Sequence, residues 1–141
     1  MNEFFELDEH QKKAMEKAFR SYPYLDRMIA IRKSELDVRE EEDENIGGGR
    51  SPFISKPTES VAIKRQSDPH IQHCQKLKRD IEFIISEMDE ETKQIAHKRF
   101  WDNANYYTWE DLATDYHYSK STIYRKRDKI LFALANRQGL I

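Results

Sequence analysis

The sequence predicts an all-α chain: an N-terminal helical hairpin, a flexible linker rich in acid and glycine, and a C-terminal helical domain. Three observations predict this. Glycine and proline number only four each in 141 residues, and three of the glycines are adjacent, so few positions break a helix. Apolar residues recur at three- and four-residue spacing through most of the chain. Charged residues make up 35% and hydrophobic residues 38%, which suits helices that each bury one stripe rather than one large core.

Residues 8–22 read as a first helix, with Asp8 as N-cap and Met15, Ala18, Phe19 and Tyr22 on one face. Phe4, Phe5 and Leu7 precede it and need a surface to pack on. Pro23 ends it and opens a second helix, where a missing N–H costs nothing in the first turn. There Leu25, Met28, Ile29, Arg32 and Leu36 share a face and Ile31 lies off it. The short Ser21-Tyr22-Pro23 junction predicts an antiparallel hairpin over 1–37. Two helices alone cannot bury so many apolar groups, so residues 1–36 are expected to contact the C-terminal domain or a second copy.

From Asp37 to Glu44 the chain reads DVREEEDE, and Gly47-Gly48-Gly49 follows. Like charges repel, and three glycines lose the most backbone entropy on ordering. Residues 38–57 are therefore read as a flexible linker. A short helix is expected over 58–66. Asp68-Pro69 then starts a longer one, with Ile71, Cys74, Leu77, Ile81, Ile84, Ile85 and Met88 as its stripe. Asp89 caps another helix to about Trp101, with Ile95, Ala96, Arg99 and Phe100 inward, and Asp102–Asn105 form a turn.

The last part, 108–138 within a C-terminal domain of 58–141, carries the functional signal. Thr108 caps a short helix, with Asp111 three residues on as a capping box. Trp109, Leu112 and Ala113 point inward, and His117-Tyr118 is the turn. Ser119 caps a second helix with Ile123, Ile130, Leu131 and Leu134 buried, ended by Gly139. Helix, short turn and basic helix form the helix-turn-helix pattern. Charge agrees with it. Residues 1–49 carry a net charge of −5 and residues 50–141 a net of +3, while Ser119–Arg137 holds six basic residues and one acid. Double-stranded DNA is the expected partner. The expected contacts are Ser119, Lys120, Ser121, Thr122, Tyr124, Arg125, Lys126 and Arg127. The hydroxyls suit phosphate at a helix N-terminus, Lys120 and Arg125 suit guanine edges, and Lys126 and Arg127 suit phosphate.

The stretch from Met88 to Leu134, MDEETKQIAHKRFWDNANYYTWEDLATDYHYSKSTIYRKRDKILFAL, resembles region 4 of the sigma-70 family. That resemblance implies base reading by Lys120, Ser121 and Arg125, and phosphate contact by Thr122, Tyr124 and Arg127. Two positions depart from the family: Ser121, where an acid is common, and Tyr124, where a basic residue is common. The promoter element usual for the family is therefore not assigned. A wider likeness covers Tyr22-Pro23-Tyr24, Asn45-Ile46-Gly47-Gly48-Gly49 and Lys56-Pro57-Thr58-Glu59-Ser60. On these the chain resembles phage late transcriptional activators of the RinA/ArpU type. This implies activation of late genes together with host RNA polymerase.

Other functions find less support. No nucleophile–base pair and no phosphate-cradling loop occurs, so the chain is not expected to be an enzyme and no cofactor is implied. His70, His73 and Cys74 could share a helix face, but no fourth metal ligand is evident. No run reaches the ~18 apolar residues of a membrane span, and the acidic start lacks a signal-peptide core, so a cytoplasmic protein of a bacterial host cell is expected. A homodimer would present two reading helices to two half-sites. The alternatives are a small terminase subunit, which would bind packaging-site DNA as a larger ring, and an anti-sigma-like factor that contacts proteins alone.

Overall fold

A computed structural model describes residues 6–46 and 57–141, with side chains over 6–38 and 60–141. Every regular element among them is helical, as the fold class predicts. Helix α1 spans Glu9–Ser21, α2 Leu25–Ile46, α3 Pro57–Ser67 and α4 Pro69–Glu87. Then come α5 (Glu90–Ala96), α6 (Trp109–Asp115) and α7 (Lys120–Arg137). A 3-10 turn, Tyr22–Tyr24, joins α1 to α2, and a π-helical turn, His97–Trp101, continues α5.

The chain divides into two compact units. One holds the chain up to Pro23 together with Leu77–Ile141. The other is Tyr24–Lys76. This division differs from the expected blocks of 1–37, 38–57 and 58–141. Helices α1 and α2 fall in separate units rather than forming a self-contained hairpin. The reason is local. Pro23 sits in a 3-10 turn that ends α1, and the stripe of α1 finds its partners far along the chain. The boundary expected at 38 also moves, because α2 continues to Ile46. Phe4, Phe5, the three adjacent glycines and the rest of 47–56 lie outside the described residues.

In the first unit, α1 packs on α7 and on the π turn. Asp8 caps α1, and Gln11 returns the bond to the backbone of Asp8. Phe19 is fully buried, and its ring stacks on Phe100 at 4.9 Å. The Trp101 indole N–H donates to the Phe19 carbonyl at 2.6 Å. The wider π turn shifts the register of Arg99, Phe100 and Trp101 against α5. These three residues are the ones that meet α1. Asp80 of α4, itself buried, accepts from Arg137 Nε at 3.3 Å and from the Gln138 amide, which pins the end of α7.

In the second unit, α2 packs on α3. Leu25 and Ile29 are buried and Ile31 is exposed, which follows the predicted face. Asp68 caps α4 by accepting from the Ile71 N–H at 3.0 Å. The same buried carboxylate accepts from Arg32 Nη2 at 2.8 Å and from Arg32 Nε at 3.1 Å. One carboxylate thus closes a helix start and ties it to α2.

Arg32 holds the Asp68 carboxyl down at about 2, against an ordinary value of 3.8. A depressed carboxyl stabilises the fold above its unfolded pKa, and that contribution is lost as pH falls through the folded value. The thermal midpoint is therefore expected to drop between about pH 4 and about pH 2. Asp68→Asn should flatten this acid-side drop in a melting series; an identical profile would count against the pairing.

Candidate nucleic-acid interface

Helices α6 and α7 and the turn between them form a helix-turn-helix whose parts each have a local cause. Thr108 accepts from the Asp111 N–H at 3.0 Å and Asp111 returns a bond to the Thr108 N–H at 2.9 Å, so both start donors are satisfied. These bonds hold the Asp111 carboxyl below its usual range. The end of α6 is a Schellman motif. Tyr118 N–H donates to the Ala113 carbonyl at 2.8 Å and His117 N–H to the Thr114 carbonyl at 3.3 Å. This motif needs a left-handed residue, and His117 supplies it with φ of 60°. Ser119 then caps α7 by accepting from the Thr122 N–H at 3.2 Å.

Behind the turn, Trp109, Leu112, Ala113, Ile123, Ile130, Leu131 and Leu134 are buried, as predicted. The small Ala113 lets α6 approach α7. Trp109 also reaches α1: its indole N–H donates to Glu16 Oε1 at 2.6 Å. Glu16 Oε2 accepts from Arg99 Nη2 at 3.0 Å. Arg99 in turn donates to the Tyr107 carbonyl at 3.1 Å and lies over the Trp109 ring at 5.6 Å. Helix α7 is thus braced through α6 onto α1.

The eight residues singled out in the sequence all lie on the first turns of α7 or at its cap, but they do not share one surface. Ser121 and Arg125 are exposed on the side away from Ile123 and Leu131, and Thr122 is half-buried on that side. Lys120 is exposed at the helix start, with Nζ 3.7 Å from Glu110. The Tyr124 hydroxyl donates to the same Glu110 carboxylate at 3.3 Å. Lys126 sits over the Tyr118 ring at 5.1 Å, and the Tyr118 hydroxyl donates to Glu91, a bond that, with burial, pushes that hydroxyl's pKa up.

Arg127 is placed differently from the expectation. It follows Ile123 by four residues and precedes Leu131 by four, so it lies on the packed side. Its side chain is only 18% exposed, pairs with Asp128 at 2.9 Å and lies over the Tyr124 ring at 4.7 Å. Asp128 is the one acid of α7, and it also meets Lys12 of α1 at 3.5 Å. The residue that the sequence reading missed is Lys129. It is exposed four positions after Arg125, on the same side. Helical spacing from Arg125 was the signal that could have found it.

His70 and Cys74 stand close, with Nε2 3.9 Å from Sγ, and burial raises the Cys74 thiol. Among the described residues no group of three or more His, Cys, Asp or Glu side chains could hold a metal ion. No described helix is long and apolar enough to cross a membrane. Residues 11–136 match a family model described as a protein of unknown function (DUF722). No curated protein and no solved structure matches the chain.

A side chain held left-handed costs stability, most of all when it is β-branched. His117→Gly is expected to raise stability by up to about 1 kcal/mol, and His117→Val to lower it by about 1–2 kcal/mol. Urea unfolding of both variants checks this. Equal stability of the two would contradict the strained turn.

Proposed function

We propose that this chain, which belongs to the family described as protein of unknown function (DUF722), is a DNA-binding transcription regulator that reads double-stranded DNA with the outward side of α7. One observation carries the reading. The outward side of a Ser-capped helix, set off by a short turn, bears Ser121, Thr122, Arg125 and Lys129, while the helix's one acid, Asp128, is held by Arg127 and Lys12. A helix with cations and hydroxyls on its exposed side fits the major groove.

The roles follow from reach and chemistry. Arg125 and Lys120 address base edges, where a guanine offers two acceptors. Ser121 and Thr122 lie at the helix start and suit phosphate oxygens. Lys126 and Lys129 suit phosphates further along. Glu110 holds Lys120 only through an exposed pair, and such pairs are weak enough to be exchanged for a nucleic-acid contact. Arg127 acts from behind, by neutralising Asp128. The likeness to sigma region 4 and to RinA/ArpU-type activators extends the reading to phage late genes, with host RNA polymerase as the protein partner and the bacterial cytoplasm as the place of action.

Each phosphate neutralised releases counterions and adds about 0.9 to the slope of log affinity against log salt. With a random-sequence duplex as probe, Lys129→Ala should flatten that slope by about 0.9. Lys13→Ala, at an exposed position of α1, should leave it unchanged. Absence of binding by the intact protein at ~50 mM salt would overturn the proposal.

A further inference from the structure

Helix α2 has a second apolar stripe that its own unit leaves uncovered. Leu25 and Ile29 are buried on one side. Ile31 and Val38 lie on another and are 51% and 54% exposed, and Tyr24, in the 3-10 turn that leads into α2, is 51% exposed. Ile31 and Val38, seven apart, lie on one line along α2, and Tyr24 stands seven residues before Ile31 at the end of the turn that opens it. Met28, half-buried, borders it, as do exposed Arg27, Ser34 and Glu35. An exposed line of large apolar groups at heptad spacing marks a helix-pairing seam.

The arrangement of charge along this seam identifies its occupant. Ile31 is the midpoint between Tyr24 and Val38, between Arg27 and Glu35, and between Met28 and Ser34. A second α2 running antiparallel about Ile31 therefore meets it residue by residue. Tyr24 lies opposite Val38, Ile31 opposite Ile31, and Arg27 opposite Glu35, twice over. A two-fold axis generates this pattern, because each contact must occur in both directions. A parallel pairing would set Arg27 against Arg27 and bring the two acid-rich ends of α2 together, which opposes association.

We infer that α2 is a self-association surface, and that a second copy of this chain docks on it antiparallel with the two-fold axis at Ile31. The proposal does not rest on DNA binding. The seam covers only two heptads and includes polar Arg27 and Ser34, so the dimer is a modest one, formed at micromolar rather than nanomolar concentration. Glu35 already pairs with Arg32 at 3.2 Å, but it is 55% exposed and free to turn toward a second partner.

Sedimentation equilibrium of the full chain, without DNA, tests this. At ~100 µM the mass is expected to approach twice 16.9 kDa. Ile31→Asp should reduce it to the monomer while leaving the thermal midpoint in place, because Ile31 is not part of the core. Arg27→Glu alone should weaken the dimer, and Arg27→Glu combined with Glu35→Arg should restore it. Under mild oxidation Ile31→Cys should cross-link to itself. Tyr24→Cys should instead cross-link to Val38→Cys from a second chain, with little background since native Cys74 is buried. A wild-type monomer at that concentration, or a dimer that survives Ile31→Asp, overturns the proposal. Failure of the double charge swap overturns the antiparallel register.

Discussion

The carboxylate of Glu16 is the contact on which the helix-turn-helix unit depends. One oxygen accepts from the Trp109 indole and the other from Arg99, with Arg20 at 3.6 Å as a further cation. Both Glu16 and Arg99 are largely withdrawn from water. A charge in that position is tolerable only because it is paired and hydrogen-bonded, and removal of one partner leaves the other stranded. The contact joins residues that lie 83 and 93 positions apart. It makes α1 a structural part of the C-terminal unit. The Phe19–Phe100 stack and the Trp101 bond to the Phe19 carbonyl repeat the same connection a turn later.

The same brace organises the charge. Lys12 of α1 meets Asp128, and Arg127 meets it from the helix itself. Together they pair the half-exposed acid of α7, while Arg125 and Lys129 are exposed. Lys126 and Lys129 in turn help hold the Asp89 carboxyl below its usual range, after the dominant bonds from Thr92. Acids at the starts of α5 and α6 thus stand beside cations of α7, Asp89 near Lys126 and Lys129 and Glu110 near Lys120.

What was legible in the sequence was what neighbours in the chain decide. Asp8, Asp68, Asp89, Thr108 and Ser119 each sit at a helix start because a short polar side chain satisfies free N–H groups there. The stripes of α4 and α7 were readable for the same reason, since burial follows a fixed period. Pairing between distant segments was not. Nothing local says which surface Phe19 seeks, so the expectation that residues 1–36 contact the C-terminal domain or a second copy left open its partner, which is Phe100. The π turn was hidden as well, because HKRFW has ordinary helical residues and only the fit against α1 selects the wider turn. At the candidate site, residue type alone put Arg127 with the DNA contacts, and only its helical position turns it inward. Lys129 lies one turn beyond Arg125, away from the helix start where the motif concentrates its signal.

Helix α7 is proposed to read base sequence. Selection from a random duplex library at near-physiological salt tests it most directly. Sequence-reading proteins bind their sites at least ~10³-fold tighter than other DNA, so recovered duplexes should converge on one motif within a few rounds. Bound but unenriched sequences would mean that the cationic side of α7 holds DNA without reading it, and that would contradict the account.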